Sequence, residues 1–117
     1  MTTNFWGIVK YEIIGDGCLN GIWNNKETKK NGVIMNEIAR KKDKDKNNIE
    51  GEYSLSWIEP DQDPIVGTLS IKLNGIAYEF EWNIDKRGPV YKGIGLMVGE
   101  VNLIAFYWKF NETFNIQ

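Results

Sequence analysis

In the stretch IEGEYSLSWI, every second residue from Ile49 through Gly51, Tyr53 and Leu55 to Trp57 is apolar or glycine, and the residues between them are Glu50, Glu52, Ser54 and Ser56. A period of two is the pattern of a strand with one buried face and one wet face. IVGTLSIKLN repeats it, placing Ile65, Gly67, Leu69, Ile71 and Leu73 inward. IAYEFEWNI repeats it again, with Ile76, Tyr78, Phe80, Trp82 and Ile84 inward against Glu79, Glu81 and Asn83. Around these three, further strands are predicted at about residues 5–14, 18–25, 32–40, 90–98 and 101–110. The breaks between them carry turn chemistry: Gly15-Asp16-Gly17, Asn74-Gly75, Asp85 to Pro89 and Gly99-Glu100 supply the residues that tolerate positive φ. GVIMNEIARK is the only candidate for a helical period, so an antiparallel meander is the economical topology.

Eight short strands must split into a sandwich or close on themselves. Gly7, Gly21, Gly51 and Gly67 fall on the inward parity, where a missing side chain lets a sheet coil without crowding, and this favours closure. The expected fold is all-β: a single eight-stranded antiparallel up-and-down β-barrel occupying residues 1–117. Such a barrel is just wide enough to be filled by side chains or to hold one small ligand. The inward aromatics Trp23, Tyr53, Trp57, Tyr78, Phe80 and Trp82 suit either outcome, as core or as the wall of an apolar pocket.

The segment CLNGIWNN, with its Gly21-x-Trp23-x-Asn25 pattern, resembles the first strand of the avidin and streptavidin family. IEGEY, YEFEWNI and YKGIGLMVGEVNLIAFYW are similar in spacing to that family's middle and final strands. Lipocalins carry a Gly-x-Trp on their first strand too. The resemblance implies a ligand-binding barrel with Trp23 as a floor aromatic and Asn25 as a polar contact to the ligand. It does not extend to biotin: an extra strand precedes the motif, a lysine-rich turn (Lys26, Lys29, Lys30) replaces the family's capping loop, and no late aspartate matches.

Composition narrows the function. A chain of 117 residues with 42% hydrophobic and 26% charged residues has the make-up of one globular domain, and a net charge of -2 argues against a nucleic-acid-binding surface. The single cysteine, Cys18, rules out an internal disulfide framework. Lys10 and Glu12 interrupt the apolar start, so no signal peptide is read, and no run approaches the roughly 20 apolar residues of a membrane helix. A cytoplasmic location away from membranes is expected. The absence of histidine removes the commonest general base and zinc ligand, so neither an enzyme nor a metal or cofactor site is expected.

Two charged segments carry side chains with chemical potential. Glu59, Asp61 and Asp63 in IEPDQDP have the residue types for cation binding or acid–base work, but they read as a solvated, proline-bounded turn. In ARKKDKDKNN, Asp43, Asp45 and Asn47 begin a calcium-loop pattern that fails where glycine and glutamate are required. Its excess of positive charge, through Arg40, Lys41, Lys42, Lys44 and Lys46, reads as a charged hairpin loop whose removal from Lys41 to Lys46 folding should tolerate.

The leading expectation is a non-catalytic barrel binding a small apolar or aromatic ligand through Trp23, Asn25, Tyr53, Trp57, Tyr78, Phe80 and Trp82. The alternative is a protein-interaction module, a regulator or inhibitor of another protein, working through its outer surface. A homodimer is also expected, because the first and last strands are apolar on both parities. Its interface would bury Trp6 and Ile8 with the Ile104, Phe106, Trp108 row or, at the opposite parity, with Leu103 and Tyr107. The competing cover for that seam is the tail NETFNIQ, folding back with Phe114 and Ile116.

Overall fold

The computed structural model describes residues 2–27, 35–43, 48–57 and 63–114. Eight strands form a closed antiparallel barrel in chain order: β2 (Gly7–Gly15), β3 (Cys18–Asn25), β4 (Met35–Lys41), β5 (Gly51–Trp57), β6 (Ile65–Asn74), β7 (Ala77–Ile84), β8 (Gly88–Val98) and β9 (Asn102–Lys109). Closure is made by β2 and β9, which pair from Gly7↔Tyr107 to Glu12↔Asn102. A short parallel pair of β1 (Thr2–Thr3) and β10 (Thr113–Phe114) lies outside the barrel ladder. No helix occurs among the described residues, and GVIMNEIARK contributes β4, so none is long and apolar enough to cross a membrane.

Alternation of burial follows the alternation in sequence. Along β5, Tyr53, Leu55 and Trp57 are buried and the residues between them are exposed; along β2, Gly7, Val9 and Tyr11 face in and Ile8, Lys10 and Glu12 face out. The turns obey the same local chemistry, with Gly15, Asp16 and Gly17 all at positive φ in the β2–β3 hairpin.

One end of the barrel is solid. Tyr11, Leu19, Ala39, Leu69 and Leu103 are fully or almost fully excluded from solvent and fill the interior toward the β2–β3, β4–β5, β6–β7 and β8–β9 connections. Tyr53 donates a hydrogen bond of 2.6 Å from its hydroxyl to the Ile49 carbonyl at this end. Burial, reinforced by the charge of Asp43, pushes that phenol up to about 12.

Two inward assignments change, and one residue assigned to a loop faces in. Ile76 is 89% exposed because it lies in the two-residue turn between β6 and β7. Leu73, three positions earlier, is also exposed, since this hairpin runs on past the packed interior. Lys41 belongs to β4 rather than to the charged loop, pairs with Tyr53 and is only 5% exposed. Its ammonium donates to the Asn48 carbonyl and lies 3.9 Å from Asp43. Lys41 thus helps close the solid end, and the removal of Lys41 to Lys46 as a block is no longer expected to be harmless. Residues 44–47 lie outside the described residues.

Candidate functional site

The opposite end of the barrel is hollow. Where β3 and β5 end and β8 begins, a cavity of about 350 Å³ lies inside the wall, lined by Trp23, Asn25, Glu37, Trp57, Trp82, Tyr91 and Tyr107, with Val9, Ile65 and Ile84 among its apolar surfaces and the exposed Arg87 on its rim. This is the size of a small-molecule pocket, and its lining joins aromatic and aliphatic side chains to a carboxyl, an amide and a guanidinium group.

The polar floor is built across a glycine. On the inner face, Tyr11 of β2, Gly21 of β3 and Glu37 of β4 are successive cross-strand neighbours. A Cβ at Gly21 would come within 2.8 Å of both the Tyr11 ring and the Glu37 side chain, so the missing side chain is what lets these two meet. The Tyr11 hydroxyl donates to Glu37 Oε2, and the Trp82 indole N–H donates to the Tyr11 oxygen at 3.1 Å. The donors therefore run in one direction, from Trp82 through Tyr11 to a carboxyl group at the end of the chain.

Glu37 is 6% exposed and no lysine or arginine is paired with it among the described residues. Burial raises its carboxyl to about 7, against the opposing effect of hydrogen bonds from Tyr11 and Trp82. Burial first, and then the charge of Glu37, hold the Tyr11 phenol well above its ordinary range, so Tyr11 remains a donor. Near neutral pH the cavity floor is poised between a neutral acid and an anion.

A second polar pair lies higher on the wall. Asn25 donates from Nδ2 to the Tyr107 hydroxyl at 3.3 Å, and its Oδ1 accepts from the Glu27 amide at 2.9 Å. Tyr107 lies over Gly7, its cross-strand partner, where a Cβ would fall 2.0 Å from the ring. The ring also meets Tyr91 edge-on at 5.2 Å, and Tyr91 stacks on Phe5 at 5.7 Å. The Trp23 indole N–H is buried with no hydrogen-bond acceptor among the described residues.

Of the residues singled out in sequence, Trp23, Asn25, Trp57 and Trp82 come together on the cavity wall. Tyr53, Tyr78 and Phe80 lie outside it: Tyr53 and Tyr78 belong to the solid end, and Phe80 stacks between Tyr11 and Trp82 as the layer beneath the cavity. Sequence reasoning missed Glu37, Tyr91, Tyr107 and Arg87. The inward parity of Met35, Glu37, Ala39 and Lys41 is the signal for Glu37, but it is obscured by Ile38, which points outward.

On the outer wall, Leu103 and Tyr107 are buried, so the outward row of β9 is Ile104, Phe106 and Trp108. Phe106 is flanked by Ile8 and Ile94, and Ile104 by Lys10 and Leu96. Ile8, Ile94 and Leu96 are each about half exposed, and Trp6 is half-buried. The tail pairs its Thr113–Phe114 backbone with β1, and Ile116 lies outside the described residues. Glu59 and Asp61 also lie outside them, and Asp63 is exposed; among the described residues no three His, Cys, Asp or Glu side chains are grouped to hold a metal ion. No protein-family model, curated protein or solved structure matches the chain.

Proposed function

We propose that the protein is a non-catalytic binding barrel that takes a small, largely aromatic or apolar ligand into its hollow end. The observation that carries this reading is the 350 Å³ cavity, walled by Trp23, Trp57 and Trp82 and floored by a hydrogen-bonded carboxyl group. The eight-stranded meander supports it as the layout of avidin-like and lipocalin-like barrels, which the Gly21-x-Trp23 segment resembles. With no histidine in the chain, binding rather than turnover is the role these groups fit. A cytoplasmic setting goes with the free thiol of Cys18.

Three of the chain's five tryptophans line the cavity, so intrinsic fluorescence reports directly on its occupancy. Titration with a panel of small aromatic metabolites should give saturable quenching by at least one class. A flat response across the panel, with the cavity confirmed as hollow, overturns the reading.

The outer wall favours a second reading, a surface for association with another protein chain. Ile8, Phe106 and Ile94 are consecutive neighbours across β2, β9 and β8, and Ile104 and Leu96 extend the same apolar face. The occupant we propose is a second copy of this chain, in a two-fold dimer that also covers Trp6 and Trp108.

A further inference from the structure

The Glu37 carboxyl group is hard to explain as a structural element alone. Moving an ionisable acid out of water is costly unless it is paired, and this one has no cationic partner among the described residues. Among the described residues the Tyr11 hydroxyl is its one hydrogen-bond donor of good geometry, on Oε2, leaving acceptor capacity that a carboxylate can share with further donors. The same side chain lines a cavity whose wall also carries the aromatic side chains of Trp57, Trp82 and Tyr91. Aromatic faces attract cations. We propose that the ligand of the hollow end is an organic cation, a protonated amine on an apolar or aromatic body, whose ammonium group is received by the Glu37 carboxylate. This assignment rests on the reading of the cavity as a ligand site and specifies the chemistry of its occupant.

The geometry accounts for both halves of such a ligand. The ammonium group supplies the donors that the one-way chain Trp82 to Tyr11 to Glu37 ends by wanting, and the apolar body lies against the indole and phenol rings. Among the described residues Arg87 is the cation on the cavity rim, but it is exposed on the turn after β7, where water and salt screen it, and it forms no ion pair with Glu37. An amine enters past a screened charge and ends beside an unscreened one.

Proton linkage gives the assignment a second signature. An ammonium ligand binds the ionised acid, so with Glu37 near 7 its affinity should rise by about two orders of magnitude from pH 5 to pH 8 and then level off. Among the described residues, the other titratable or charged groups facing the carboxyl or sharing its cavity are Tyr11 on β2, Tyr91 on β8, Tyr107 on β9 and Arg87 on the rim, while β3, β5 and β7 present Gly21, Trp57 and Trp82. Phenols and guanidinium groups ordinarily titrate well above neutral pH, so the rise belongs to Glu37.

Isothermal titration with three probes of one shape tests the assignment: 2-phenylethylamine, 2-phenylethanol and phenylacetate. The amine should bind at least about tenfold more tightly than the alcohol, a gap of about 1.4 kcal/mol, and the acid should bind most weakly. In Glu37→Gln the amine and the alcohol should become equal. Equal binding of amine and alcohol to the native protein, or an amine preference that survives Glu37→Gln, overturns the cation assignment and leaves the cavity reading standing. Binding by none of the three overturns both. The pH profile needs no variant: an amine affinity that is flat between pH 5 and pH 8 also overturns the assignment.

Discussion

Tyr11 and Glu37 lie two strands apart and hydrogen-bond to each other over the empty inner face of Gly21. The pair joins the two ends of the barrel. Tyr11 is fully buried in the packed core, and Glu37 lines the cavity, so the last polar contact of the one is the first of the other.

This pair sets a pH dependence of stability. The Glu37 pKa is raised from 4.5 to about 7, so between those values the folded chain holds a proton that the unfolded chain has released. The stabilisation is therefore complete below about pH 4.5 and is lost as pH rises through 7. Denaturant titrations should show native protein losing about 3 kcal/mol relative to Glu37→Gln between pH 4.5 and pH 8. A difference that stays constant across that range would contradict the burial of an unpaired acid.

Replacing Tyr11 by Phe removes the donor to Glu37 and the acceptor of the Trp82 indole together. Stability should fall by about 1–3 kcal/mol. Because the Tyr11 hydrogen bond holds the Glu37 pKa down, the carboxyl titration followed by NMR should move to higher pH in this variant.

Lys41 and Lys42 are adjacent and should behave differently. Lys41 is buried with its ammonium on the Asn48 carbonyl, whereas Lys42 is exposed. Lys41→Ala should cost about 1–3 kcal/mol through lost packing and an unsatisfied carbonyl. Lys42→Ala should stay within about 0.5 kcal/mol of the native chain. Urea midpoints of the two variants decide the matter.

Gly67→Val should be among the most damaging single changes in the barrel. A Cβ at Gly67 falls 1.9 Å from the Asn83 carbonyl oxygen, a backbone atom beside the bulge in the β7–β8 ladder, so no rotamer change makes room. The cost should be about 3 kcal/mol or more, read from the shift in thermal midpoint. Gly51→Val adds backbone strain to crowding, since Gly51 has φ of 143° and its Cβ would lie 2.7 Å from the Lys41 side chain.

Self-association is tested by light scattering at micromolar concentration. The outer row of Ile8, Phe106 and Ile94 should give a dimer of the 13.5 kDa chain, dispersed by Trp6→Glu or Phe106→Glu. A clean monomer in the native protein removes the dimer and leaves that apolar face to another partner.

The barrel was legible in sequence because alternation, glycine and turn residues are local signals, and β5, β6 and β7 repeat them without conflict. The cavity was legible only in part. Trp23, Asn25, Trp57 and Trp82 could be placed on an inward parity, but parity does not say how far along the barrel axis a residue lies, and that alone separates Trp57 on the cavity wall from Tyr53 in the packing four positions earlier. Glu37 was hidden for a different reason. Its burial depends on Gly21 opening a space and Tyr11 reaching over it from a third strand, a three-body arrangement fixed by register. Ile38, outward beside it, gives the hydropathy pattern of β4 the wrong sign at the position that matters most.

The solid and hollow ends share the same eight strands, and this has a consequence for how such a protein can change. Trp23 stands on the strand that anchors Leu19, Trp57 on that of Tyr53, and Trp82 on that of Phe80. Each wall residue is held at its height and azimuth by ladder bonds and by a neighbour in the packed core, not by whatever occupies the space in front of it. Exchanging one wall side chain for another alters the shape and charge of the vessel without disturbing the register that positions the rest. On the proposed reading of the cavity as a ligand site, foldability and selectivity are separated along one axis, and new specificities can be reached by single steps at one rim while the opposite base stays constant.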